Sequence, residues 1–246
     1  MPAIWSGTLS TGHSEAIHYD PRLPIPVAVR VHPSARRVKL RLDHSRDMLL
    51  LTCPPRSSRR AALDWAADQR DWVLAQLAEA QPPVALEPGV TIPFEGRDTK
   101  LSWLEHGARN VSLRDGILSC GGPRESFPRR IEGWLRARAR DLLSLDTAEA
   151  AARAGVIVRR VSIGDASSRW GSCSASGSIR YNWRLVLAPP QVRRWVVAHE
   201  VAHRVHMNHG PAFKALETEL FDGDAEAARL LLRRLGPGLR RIGRRF

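Results

Sequence analysis

Arg194-Trp195-Val196-Val197-Ala198-His199-Glu200-Val201-Ala202-His203-Arg204-Val205-His206-Met207-Asn208-His209-Gly210-Pro211 holds the pattern His-Glu-x-x-His, with a further His six residues on. On a helix, residues four apart share one face, about 6 Å apart along the axis. The imidazoles of His199 and His203 can therefore converge on one metal ion. Glu200 falls about 100° round from His199. It stands beside the metal without ligating it, where a general base for metal-activated water belongs. Val196, Val197, Val201 and Val205 give such a helix an apolar side to bury.

A catalytic zinc takes three protein ligands and a water, and His206 and His209 compete for the third place. On a continuous helix His206 lies about 10 Å along the axis from His199, too far for both rings to reach one ion. His209 fits if the helix ends just before it. Asn208 tolerates a left-handed C-cap, and Gly210-Pro211 forbids simple continuation. The expected ligands are His199, His203 and His209, with His206 as a neighbour of the site. Cys173 is a weaker rival to His209 and reads better as a buried thiol. The positive and hydroxyl-bearing groups near the motif in sequence are Arg169, Arg180, Tyr181 and His206, and none of them is singled out as a second electrophile.

The 246 residues suffice for one large domain or two smaller ones. No apolar run reaches the eighteen or so residues of a membrane span, so no membrane association is expected. The start, Met1-Pro2-Ala3-Ile4-Trp5-Ser6, lacks the pattern of a signal peptide. Cys53, Cys120 and Cys173 are widely spaced and odd in number, which suits reduced thiols. A cytoplasmic location is the expectation. The formal charge is +13, and only Lys39, Lys100 and Lys214 are lysines. Attraction to nucleic acid and a merely solvated Arg-rich composition are two readings that stand side by side.

Residues 1–22 show little periodicity and suggest an irregular arm or one short strand. Period-2 alternation follows in Val27-Val29-Val31, in Val38-Leu40-Leu42 and in the run from Met48 to Thr52. It predicts an antiparallel meander with one basic face, carrying Arg30, Arg37, Lys39 and Arg41. Ser57 or Ser58 caps a helix to about Ala80. Four short strands are expected between Thr91 and Cys120, and Gly121-Gly122-Pro123 marks a boundary. This divides the chain into a β-rich N-terminal lobe with one long helix, 1–125, and a metal-binding domain with a basic tail, 126–246. In the second part a helix runs from Pro128 to about Ala154, a strand covers Val156 to Ile163, and a hairpin leads into the metal helix. Two amphipathic helices come after it, and Gly236-Pro237-Gly238 releases a tail bearing Arg240, Arg241, Arg244 and Arg245. No internal repeat is apparent.

The run Arg169-Trp170-Gly171-Ser172-Cys173, the strand Asn182-Trp183-Arg184-Leu185, Ala188-Pro189-Pro190, the His-Glu-x-x-His segment and Met207-Asn208-His209-Gly210-Pro211-Ala212-Phe213 resemble the YgjP-like metallopeptidases, as does Val29-Arg30-Val31-His32-Pro33-Ser34-Ala35-Arg36-Arg37. That family belongs with the SprT-like and WLM zinc peptidases among the zincins. The resemblance covers most of residues 24–220. It implies an α+β zincin-like domain with the active-site helix under a small antiparallel sheet. It also implies zinc held by His199, His203 and His209, Glu200 as catalytic acid/base, and a peptide or protein substrate. Kinship with SprT-like proteins, which cleave proteins crosslinked to DNA, adds nucleic acid as a possible partner. His206 stands where metzincins have glycine, so the chain is not a metzincin proper.

Overall fold

The computed structural model describes residues 15–43, 46–79 and 82–244. The chain forms two compact units, Met1–Ala80 and Gln81–Phe246. The boundary expected near residue 125 falls inside the second unit. The reason is that Ile92, Leu101 and Leu118 share one buried core with Val192, Val196 and Val201 of the metal helix.

In the first unit, β1 (Glu15–His18), β2 (Val27–Val31), β3 (Lys39–Asp43) and β4 (Met48–Cys53) form a sheet in the order β1-β2-β4-β3. Strand β1 is the short strand expected at the start, and the rest of the arm before it lies outside the described residues. The sheet is not a simple meander, because β2 pairs with β4 in parallel. Alternation along each strand identifies strands but leaves their neighbours open. Leu49, Leu51 and Cys53 point into a core closed by Ala62, Ala66 and Val73. These come from helices α1 (Arg59–Asp68) and α2 (Arg70–Glu79), which break at Gln69 where one helix was expected. Ser58 caps α1 by accepting from Ala61 N.

The second unit starts by building the same sheet again. Strands β5 (Thr91–Phe94), β6 (Arg97–Trp103), β7 (Ser112–Arg114) and β8 (Ile117–Cys120) are ordered β5-β6-β8-β7, with β6 parallel to β8. The registers correspond. Leu51 faces Val29 and Leu40, and Leu118 faces Leu101 and Leu113. Turn bonds correspond as well: His32 N donates to Cys53 O at 3.0 Å, and Leu104 N to Cys120 O at 3.0 Å. Once aligned in this way, Leu51-Thr52-Cys53 matches Leu118-Ser119-Cys120, and Ala35-Arg36-x-Val38-x-Leu40-Arg41 matches Ala108-Arg109-x-Val111-x-Leu113-Arg114. The chain therefore does contain an internal repeat, a four-stranded sheet followed by a helix.

In the second copy that helix is α3 (Phe127–Arg153), whose buried face runs from Phe127 through Ile131, Leu135, Ala139 and Leu143 to Ala150. Then come β9 (Arg160–Gly164), β10 (Gly171–Cys173) and β11 (Ser178–Asn182), ordered β10-β11-β9. This small sheet is antiparallel between β10 and β11 and parallel between β11 and β9. A 3-10 turn, Trp183–Val186, leads into α4 (Pro190–Ala202). The β5–β6 turn docks on this entry: Glu95 N donates to Val186 O at 2.8 Å and Gly96 N to Leu187 O at 3.1 Å. Arg193, in the first turns of α4 and 4% exposed, pairs with Asp146 of α3 at 2.6 Å and Glu95 at 2.7 Å. A buried guanidinium needs both partners to offset its desolvation, so these contacts fix where α4 begins.

Two helices follow, α5 (Pro211–Phe221) and α6 (Ala225–Arg241). Helix α6 runs through Gly236-Pro237-Gly238, where a free tail was expected. Tertiary contacts override the breakers here. Gly236 lies against Trp170, the Arg240 guanidinium stacks 4.1 Å from that indole, and Leu239 and Ile242 are buried. Val84 N also donates to Arg241 O at 3.1 Å. Arg245 lies outside the described residues. Among the described residues no helix is long and apolar enough to cross a membrane.

Candidate metal centre

Helix α4 ends earlier than Asn208. His203 is its C-cap, and the chain turns at once, with Arg204 N on Val201 O and His206 N on Ala202 O. That early turn brings His209 back over the helix end. His199, His203 and His209 offer ligand atoms that all lie within 4.8 Å of one another, a grouping able to hold a metal ion. Two ligand atoms of a tetrahedral zinc bonded at about 2.0–2.1 Å stand about 3.3–3.4 Å apart. His199 Nε2 and His209 Nε2 stand 3.3 Å apart, so the donor set fits zinc in chemistry and in spacing. Phe213, in the first turn of α5, packs its ring 5.1, 4.6 and 4.7 Å from those of His199, His203 and His209 and closes the floor.

His206 turns out to act through its main chain, its carbonyl lying 3.1 Å from His203 Nδ1. This contact leaves His203 Nε2 as the nitrogen available to a metal. Burial holds the His203 imidazole below its ordinary range, which favours the neutral ring that metals bind. Glu217 Oε1 of α5 lies 2.7 Å from His199 Nδ1. Sequence reasoning missed Glu217, and no local signal could have found it, since the contact joins two helices through space.

Glu200 is buried, at 6% exposure, on the side of α4 that faces β10. Burial pushes its carboxyl up to about 7, against the pull of His199 and Arg169. Gly171 makes room for it: a methyl group there would stand 2.6 Å from Glu200 Cγ. The glycine of the Arg169-Trp170-Gly171 run is thus needed for close approach, a second feature that spacing alone did not reveal.

Two cavities flank the histidines and share Trp195 and His199 as a wall. The larger, about 720 Å³, opens between Phe213, Lys214, Glu217 and the start of α6. The smaller, about 230 Å³, is lined by Arg169, Trp170, Gly171, Glu200 and Leu232. Of the four candidate electrophiles, Arg169 lines this cavity. The Tyr181 hydroxyl is buried 3.0 Å from Thr147 Oγ1 and cannot serve. Arg180 points to the exposed face of β11. Cys173 is half-buried on β10, and burial raises its thiol pKa. It is absent from the ligand group.

An α+β domain that sets a His-Glu-x-x-His helix against the edge of a small sheet, with a third His from the turn beyond, has the build of a zincin-like metallopeptidase. The chain belongs to the YgjP-like family: the model described as YgjP-like, metallopeptidase domain, matches residues 36–234, well over half of the sequence. No curated protein and no solved structure matches the chain significantly.

Proposed function

We propose that the protein is a zinc-dependent endopeptidase in which His199, His203 and His209 hold the metal and Glu200 is the general base. The observation that supports this best is the 3.3 Å spacing of the two Nε2 atoms beside a buried carboxylate. When bound, zinc supplies a Lewis acid that makes water acidic near pH 7 and polarises a carbonyl. The proton work falls to Glu200. With its carboxyl near 7, it can take a proton from the attacking water at neutral pH and pass it to the leaving amide nitrogen. Strand β10 lies at the edge of its sheet and can pair with an extended peptide through main-chain hydrogen bonds. The two cavities then receive the residues on either side of the cleaved bond. A zinc that merely staples the fold would not need a buried, unligated carboxylate beside it.

The test is zinc content and casein hydrolysis, measured side by side on the wild type and Glu200→Gln. Both should hold zinc, and the variant should lose at least about a hundredfold in rate. Full activity in Glu200→Gln would remove Glu200 from the mechanism. Absence of zinc from both proteins would remove the whole reading.

A second reading adds recruitment to nucleic acid. Arg36, Arg37, Lys39 and Arg41 are exposed on, and just before, edge strand β3, and the chain carries a formal charge of +13. Titration with duplex DNA should show binding that weakens steeply with salt. No binding at about 50 mM salt ends this reading.

A further inference from the structure

The two histidines of α4 are held from behind in different ways. His203 Nδ1 meets a neutral carbonyl, His206 O, at 3.1 Å. His199 Nδ1 meets a carboxylate, Glu217 Oε1, at 2.7 Å. Glu217 is delivered by α5, the helix that starts at Pro211, directly after His209 and Gly210. One turn before Glu217, Phe213 packs beneath all three imidazoles. A single helix thus supplies both the floor of the centre and a charge behind one of its rings. Glu217 is itself largely sheltered, its side chain 14% exposed. It is not placed as a ligand, for it touches the ring nitrogen opposite the one that faces His209.

We infer that Glu217 is the positioning residue of the metal centre. It fixes His199 as the Nδ1–H tautomer and turns Nε2 toward the metal. An imidazole that gives one nitrogen to a metal carries its proton on the other, and a carboxylate acceptor there holds that proton and the plane of the ring. The carbonyl behind His203 orients its ring without supplying a charge. The two histidines of α4 are therefore held asymmetrically, a carboxylate behind one and a carbonyl behind the other. This inference rests on the zinc reading proposed above.

The experiment compares wild type, Glu217→Gln and Glu217→Ala. Zinc affinity is measured by competition with a chelator. Histidine tautomers are read from ring ¹⁵N shifts in the metal-free proteins. Outer partners of metal-bound histidines typically account for about 10–100-fold in affinity. Glu217→Ala should fall in that range and lose the fixed Nδ1–H tautomer of His199. Glu217→Gln keeps the shape and an acceptor oxygen but not the charge, and should fall between the Ala variant and the wild type. If Glu217→Ala does not fold, Glu217→Gln decides the matter by zinc affinity, since its amide oxygen can still accept from His199 Nδ1–H. Wild-type zinc affinity in both variants, or an unchanged His199 tautomer in both, overturns the inference. A wild type that binds no zinc overturns the proposed function instead, and the tautomer measurement on the metal-free proteins still reports on Glu217.

Discussion

Strands β2 and β4 of the first unit and β6 and β8 of the second share strand order, parallel pairing and register, yet the helices that follow them differ. After β4 come α1 and α2, ten residues each, which cover one sheet and leave Trp65 and Trp72 partly exposed. After β8 comes α3, 27 residues long. Its first half covers its own sheet. Its second half supplies Leu143, Thr147 and Ala150 to the core around the 3-10 turn and α4, and Asp146 to Arg193. The sheet-and-helix module is the common part, and the extra turns of α3 join the second copy to the metal helix. The β5–β6 turn adds a second joint at Val186 and Leu187. A module that is only a module in the first unit has become the mounting of the candidate metal centre in the second.

Matched core substitutions test this comparison most severely. Leu51 and Leu118 are register equivalents, both at 0% exposure. Truncating either to Ala costs about 2–5 kcal/mol by lost burial and the cavity left behind. A ligand stabilises only the folded body that binds it. Leu118→Ala should therefore lower a melting transition that zinc raises, and Leu51→Ala one that zinc leaves in place. The smaller unit should show the larger shift for the same energy, since roughly 1 kcal/mol moves a domain of its size by about 4–8 °C and one of the larger unit's size by about 2–4 °C. Calorimetry with and without zinc measures all four values. A zinc-sensitive transition lowered equally by Leu51→Ala would abolish the distinction between the copies.

The same contrast explains what was legible beforehand. The grouping of His199, His203 and His209, with Glu200 beside it, could be read because these residues lie within one short segment and helix spacing decides which of them converge. The helix end was misplaced by several residues because the chain turns at His203 through local backbone bonds, well before the breakers Asn208 and Gly210-Pro211. The family kinship was visible in runs such as Arg169-Trp170-Gly171, but the reason for Gly171 appears only when Glu200 lies against it. The repeat escaped notice because its identical positions are few and its connections differ in length. Pairing of β2 with β4 rather than β3 cannot be read from alternation, which is the same for either neighbour. Helix α6 passed through its own breakers because Trp170, distant in sequence, gives Gly236 and Arg240 a surface to pack on. Apart from the helix end, the missing information was a contact between separate elements.

The smallest effect expected concerns the turns, where the copies part company. The second copy closes β7 on β8 with only Asp115 and Gly116 between Arg114 and Ile117, and both have positive φ, 48° and 73°. Two-residue hairpins of this kind need left-handed backbone at both positions. Asp enters that region more readily than most residues, while a β-branched side chain meets its own backbone there. In the first copy Asp43 and Met48 pair across a connection of four residues in place of two. Asp115→Gly removes strain from the folded turn but frees the unfolded chain, so the two changes nearly cancel, to within about 1 kcal/mol. Asp115→Val keeps the strain and adds to it, and should cost about 1–2 kcal/mol. Urea denaturation resolves both values. A neutral Asp115→Val would mean that the ladder pairing of β7 with buried Leu118 and its neighbours, not the turn, sets the register of β7 on β8. The two copies would then be specified in the same way despite their different loops.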